Sequence, residues 1–155
     1  MSIKSALKVM EYRDLISGIF NIKNPLNIVF TLNAIETLNI AIKGVLKKEN
    51  HLISTVIEHN SVLIHLKKIW YLRAEITFVA SDKVGYIRPI DIKNEIRFNT
   101  KAIIINDASN VLGSVQNIKE IGKIANSTLG AIATCEESCY KDSDECWNSC
   151  RCNYW

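Results

Sequence analysis

The side chains with the plainest chemistry are five thiols crowded at one end of the chain. Cys135, Cys139, Cys146, Cys150 and Cys152 follow one another as C-x3-C-x6-C-x3-C-x-C, and no cysteine occurs among the first 134 residues. A thiolate can attack carbon or sulfur, bind a soft metal or end in a disulfide, so spacing and surroundings must choose between these. In a helix, residues i and i+4 share a face. That makes neighbours of Cys135 and Cys139, and of Cys146 and Cys150, with Tyr140 to Glu145 as a turn between them. Antiparallel pairing would then join Cys135 to Cys150 and Cys139 to Cys146, a stapled hairpin in which Cys152 is the free or intermolecular thiol.

The arrangement resembles the twin C-x3-C helical hairpins of small mitochondrial intermembrane-space proteins and plant hairpin peptides, a resemblance confined to the tail. C-x3-C followed by C-x-C also resembles the first five cysteines of a knottin-type inhibitor, whose sixth has no counterpart before the terminal Asn153-Tyr154-Trp155. A zinc or iron–sulfur site is disfavoured, because the usual C-x2-C spacing is absent. Glu136, Glu137, Asp142, Asp144 and Glu145 would also hold thiols protonated. A fourth reading makes the tail the core of a modified peptide. Thr134, Ser138, Ser143 and Ser149 would suit dehydration and thioether formation, with Leu129-Gly130-Ala131 as a processing site.

Histidines offer less. His51, His59 and His65 have no recognised ligand spacing, and His59 falls on an apolar stripe, where a lone histidine is more often a hydrogen-bonded core residue than a ligand. There is no Gly-rich phosphate loop, no H-E-x-x-H and no nucleophile elbow. No catalytic residue, cofactor site or metal site is therefore expected, and the chain reads as a non-enzyme.

The elements that would position these residues are read from hydrophobic periodicity. Ile35, Leu38, Ile42, Val45, Glu49, Leu52, Val56, His59, Leu63, Leu66 and Trp70 form a ladder of three- and four-residue steps. Asn24-Pro25 supplies an N-cap and a first-turn proline ahead of it. Gly44 and the Lys-Lys-Glu-Asn run at 47–50 could be a solvated turn of one helix or a break between two, and the phase kept across them favours continuity; continued to about Ala74, such a helix would be a rod of roughly 75 Å. Leu46, Ile53, Val62 and Ile69 widen the apolar face beyond a two-stranded seam, which points to a bundle. An earlier amphipathic helix is expected over residues 2–20, with Ser2 or Ser5 as its cap. Residues 76–106 read as a small β excursion in which Pro89 permits only an edge or broken strand, and Lys101 to Ile105 could be a strand or a helix entry. The ladder resumes through Ala108, Val111, Val115, Ile118, Gly122, Ala125, Leu129 and Ile132, predicting a last helix packed closely and antiparallel against the long one.

Composition sets the outer bounds. With 48% hydrophobic and 23% charged residues the chain is of globular type. The net charge of +3 divides into −3 on residues 135–155 and +6 on the scattered lysines and arginines before them. Lys47-Lys48 and Lys67-Lys68 fall short of a nucleic-acid-binding surface, so no nucleic-acid partner is expected. The N-terminus builds no apolar h-region, so no secretory signal peptide is read there, while a disulfide tail would imply export or another oxidising compartment.

The sequence therefore predicts a mainly α protein, a long-helix bundle or antiparallel helical hairpin over residues 1–134 with a β excursion at 76–106 and a cysteine-rich cap at 135–155. Its expected role is that of a non-enzymatic interaction or assembly protein, binding a protein partner or itself. A membrane-active helical toxin or effector is the alternative, and a precursor of a modified cysteine-rich peptide the third reading.

Overall fold

Residues 25–70 fold as four separate elements rather than one rod. The computed structural model describes residues 2–70, 74–109, 111–128 and 132–137. Helix α1, Ile3–Phe20, forms where the sequence predicts it, with the Ser2 hydroxyl accepting from the Ser5 N–H. Asn24 caps as expected and Pro25 follows it, but the turn so started is a single 3-10 turn, Pro25–Asn27. Helix α2 begins only at Ala34 and ends at Val45, and the turn that follows holds Glu49 in the left-handed region at φ 68°. Strand β1, His51–Thr55, comes next, and helix α3 spans Asn60–Trp70.

The helical ladder ran through β1 for a physical reason. All five residues of the strand are buried, and a strand covered on both faces lacks the polar alternation that would betray it. Its Leu52 and the following Val56 are four apart, as helical rungs are, and a short apolar run fits either period.

The rest of the chain continues the alternation with β2 (Glu75–Val79), α4 (Pro89–Asn94), β3 (Thr100–Ala108), α5 (Ile118–Thr128) and β4 (Ile132–Glu137). The four strands form one sheet in the order β2-β1-β3-β4, every neighbouring pair parallel. Leu52 and Ile53 of β1 lie beside Ile76 and Thr77 of β2 and beside Ala102 and Ile103 of β3. Pro89, read as a strand breaker, opens α4 instead, where its missing N–H costs nothing.

Two apolar layers sandwich the sheet. On one face Leu38, Ile42 and Leu46, from α2 and its end, meet Val62 and Leu66 of α3 over Leu52, Ala102 and Ile104. On the other, Ile92 of α4 and Ile118, Ile121 and Ala125 of α5 cover Ile53, Val79, Ile103 and Ile105. The expected long-helix bundle or antiparallel helical hairpin is thus replaced by an open parallel sheet with helices on both faces, and the β excursion proves to be part of the central layer. The last helix is also shorter than expected, lies across the sheet from α2 and α3, and leaves the space beside Gly122 open.

Parallel strands need crossovers, and their directions locate one particular crevice. The chain leaves β1 through α3 towards β2 on one side, and leaves β3 through α5 towards β4 on the other. Right-handed crossovers running in opposite directions put their helices on opposite faces, as α3 and α5 are here. The carboxyl ends of β1 and β3, where these two crossovers part, are a switch point of the kind at which open α/β sheets bind ligands.

Candidate active site at the strand ends

Four segments converge on that edge, each because a strand or helix ends there. Residues 56–59 leave β1, residues 80–87 leave β2, and residues 109–117 leave β3. The fourth is the start of α2. Since α2 feeds through residues 46–50 into the beginning of β1, its first turn lies at the opposite, carboxyl end of the sheet.

Glu58 ties the gap together. Its Oε1 accepts from the Thr55 hydroxyl at the end of β1 and, at 3.1 Å, from the Asn106 backbone N–H on β3. Thr55 is fully enclosed, and Glu58, Asn106 and Asp107 are buried. A carboxylate out of water is tolerated where charge-assisted hydrogen bonds replace its hydration, and Glu58 has both neighbouring strands supplying them. The result is a strut across the switch point.

His59 sits on that strut. It is exposed and is the N-cap of α3: its carbonyl accepts from Val62 N–H at 3.0 Å and Leu63 N–H at 3.2 Å. Its ring joins the cap, with Nδ1 accepting from the Ser61 N–H at 3.2 Å and lying 2.8 Å from the Ser61 hydroxyl.

The start of α2 is a capping box. Asn33 Oδ1 accepts from Glu36 N–H at 2.9 Å, while Glu36 Oε2 reaches back to Leu32 N–H at 2.7 Å. The loops after β2 and β3 are sewn together by Gln116, whose Oε1 accepts from Ile87 N–H and whose Nε2 donates to Gly85 carbonyl, both at 2.8 Å. Gly85 has φ +81°, and a Cβ there would meet Leu112 Cδ1 at 2.5 Å.

The edge is rich in acceptors and poor in cations. Segments 29–37, 55–61, 106–109 and 111–116 contain no lysine or arginine. Lys83 lies in the exposed turn after β2, and Arg88 is held by Asp91 at 2.7 Å.

The three histidines are dispersed over the fold. His51 is buried at the other edge of the sheet, its Nδ1 2.8 Å from the Thr100 hydroxyl and its Nε2 2.8 Å from that of Thr77. Burial, and then the Arg97 guanidinium, push its pKa below the ordinary histidine value. His65 is buried in α3, with Nδ1 donating to the Ser61 carbonyl at 2.6 Å. Only His59, read from sequence as a core rung, reaches the switch point. The available signal was local: Thr55-Val-Ile-Glu58-His59-Asn-Ser61 packs hydroxyls, a carboxylate and a histidine directly behind a buried apolar run.

Cys135, one of the disulfide candidates, lies in β4 beside Ile105 of β3, while Cys139, Cys146, Cys150 and Cys152 fall outside the described residues. Among the described residues no group of three or more His, Cys, Asp or Glu is placed to hold a metal ion, and no helix is long and apolar enough to cross a membrane.

A doubly wound parallel sheet with its polar residues gathered at one switch point defines an α/β ligand-binding domain, and the sequence specifies which. Residues 1–138 match the model of the class-V aminotransferases, and the chain belongs to that family. Among its relatives are the cysteine desulfurase IscS of Dictyoglomus turgidum, 37% identical over 102 residues, which are 63% of this chain and 26% of the relative. The mitochondrial cysteine desulfurase of Candida albicans is 36% identical over 121 residues, 76% of this chain and 25% of the relative. The chain therefore spans about a quarter of the length of these relatives.

Solved structures agree. SspA in complex with cysteine superposes with TM-score 0.79 at 31% identity, over 87% of this chain and 40% of that one. A C-DES mutant with glycine covalently linked to its PLP cofactor shares the fold, with TM-score 0.72 at 15% identity over 88% and 38% of the two chains. These findings overturn the expectation of a non-enzymatic, disulfide-stapled assembly protein: the family is one of enzymes, and the relatives are named cysteine desulfurases. The alternatives of a membrane-active toxin and a modified-peptide precursor fall with it.

Proposed function

We propose that this chain acts in cysteine desulfuration, the removal of sulfur from cysteine, and that the switch point between β1 and β3 forms one wall of the site. The observation that carries the reading is the Glu58 strut, which joins the ends of the two strands and presents His59 beside it. The relatives' names give the reaction its class, and a relative of the same fold holds cysteine.

Pyridoxal phosphate is the cofactor such a family implies, and the residues at the edge can be judged against it. The exposed imidazole of His59 can stack against a pyridine ring, with the buried acidic side chains of Glu58 and Asp107 on the strand ends behind it. The fit is to the ring and stops there. Covalent attachment needs a lysine amine, and segments 29–37, 55–61, 106–109 and 111–116 contain none, Lys83 lying in the exposed turn after β2. When bound, pyridoxal phosphate supplies an electron sink for the bonds at the substrate α-carbon. The chain's own contribution is to seat a ring, shape the gap with Glu58 and offer an imidazole at its rim.

The test is a titration of the 155-residue chain with pyridoxal 5′-phosphate, followed by amide and imidazole NMR shifts. The reading expects the changes to centre on His59, Ser61 and residues 111–116, and to be lost in His59→Ala. Shifts confined to the opposite edge, around His51, Thr77 and Arg97, or none anywhere, would overturn it. Borohydride trapping in the same titration is expected to leave residues 29–37, 55–61 and 106–116 without an adduct.

A further inference from the structure

The cap of α3 also determines where the His59 ring keeps its proton. An N-cap side chain must accept a hydrogen bond from the first turn, a task normally done by Ser, Thr, Asp or Asn oxygens. Here an imidazole does it. The Ser61 N–H, a donor that cannot be anything else, lies 3.2 Å from His59 Nδ1 with hydrogen-bonding geometry. A ring nitrogen accepts only when it carries no proton.

We infer that Ser61 is a positioning residue that holds neutral His59 in the Nε2–H tautomer, so that the ring meets a ligand at the switch point as a donor through Nε2. The inference rests on the reading of that edge as a cofactor and substrate site. Two groups of Ser61 act together. Its N–H fixes Nδ1 as the acceptor, and its hydroxyl, 2.8 Å from the same nitrogen, then has reason to donate as well. A proton on Nδ1 would face the Ser61 N–H directly, so the hydroxyl cannot make that form equally good by accepting from it.

The consequence for the site is one of polarity. Behind His59 lie the buried acidic side chains of Glu58 and Asp107, and segments 55–61 and 106–109 around them contain no lysine or arginine. Nε2–H of His59 is then a ring N–H donor at that rim, suited to an oxygen or an anionic group on a ligand. The opposite tautomer would present an acceptor there instead.

Long-range 1H–15N correlation spectra of the full chain, recorded where His59 is neutral, read the tautomer directly. The expected result is a pyridine-type Nδ1 and a pyrrole-type Nε2 for His59. Ser61→Ala keeps the backbone N–H and removes the hydroxyl, and should move the tautomer ratio about five-fold towards Nδ1–H, the change one neutral hydrogen bond commands. Ser61→Thr should restore it. A protonated Nδ1 in the unaltered chain, or a ratio indifferent to Ser61→Ala, would overturn the assignment.

A second arm separates this from the site itself. Added pyridoxal 5′-phosphate should shift the His59 Nε2 resonance, less so in Ser61→Ala. If Nε2 carries the proton yet pyridoxal phosphate leaves it unmoved, the proposed site fails while the tautomer stands. If Nδ1 carries the proton, the role of Ser61 falls whatever the cofactor does.

Discussion

Replacing Glu58 with alanine would remove the single acceptor that serves two strand ends. Thr55 Oγ1 and the Asn106 N–H are both enclosed, at 0% and 1% residue exposure, so water cannot take over either bond. A buried donor left without its acceptor costs about 1–3 kcal/mol, and two are stranded here. Against this stands the relief of no longer burying a carboxylate, which offsets part of the loss. The balance is a net destabilisation of about 2–4 kcal/mol for Glu58→Ala. Glu58→Gln keeps one oxygen to accept from both donors, gives up the charge and puts an NH2 in place of the buried Oε2, so a smaller loss of about 1 kcal/mol is expected. The pair of variants is therefore the measurement. Urea unfolding followed by far-UV circular dichroism reports the two free energies, and hydrogen exchange at the Asn106 amide reports whether the loss is local to the strut. Glu58→Ala should exchange much faster at Asn106 than Glu58→Gln does. Equal stability of the two variants, or an unchanged Asn106 amide in Glu58→Ala, would refute the strut.

Other outcomes follow from the same contacts. His51 has a folded-state pKa below its ordinary value of 6.5, chiefly through burial. The unfolded chain therefore takes up the proton first on acidification, and stability should fall as pH drops through about 6.5 and level off below the depressed folded value, as a pH series of urea midpoints would show. Gly85→Ala forces a Cβ into Leu112 Cδ1 at 2.5 Å on a backbone at φ +81°. A loss of about 1–3 kcal/mol is expected, together with faster exchange at the Ile87 amide that Gln116 holds. Asn33→Ala removes the side chain that caps α2 and should cost about 0.5–2 kcal/mol by the same unfolding measurement. Ile103→Ala, at a fully buried position in the central strand β3, should cost about 2–5 kcal/mol.

Local chemistry was legible wherever neighbours in sequence decide the outcome. Ser2 starts α1 and Asn24-Pro25 starts a turn because capping bonds span only a few residues. The β excursion read at residues 76–106 begins at a true strand, β2, whose β-branched and aromatic residues suit a half-buried pleated surface. Lys101 to Ile105 stayed ambiguous for the reason β1 was misread, since a run buried on both faces has no period to measure. His59 shows the cost for function. As a helical rung it was a core histidine, and as the residue just past a strand it is the exposed cap of the next helix.

What the sequence determined alone was therefore a set of short-range commitments: caps, turn residues, apolar runs and a globular composition. It also carried the family membership, in a match that runs over residues 1–138. The tertiary structure decided that β1 and β3 are neighbours although some fifty residues separate Glu58 from Asn106. Only that pairing makes a switch point, because strand order depends on which buried runs meet in space, and no residue in either run records its partner.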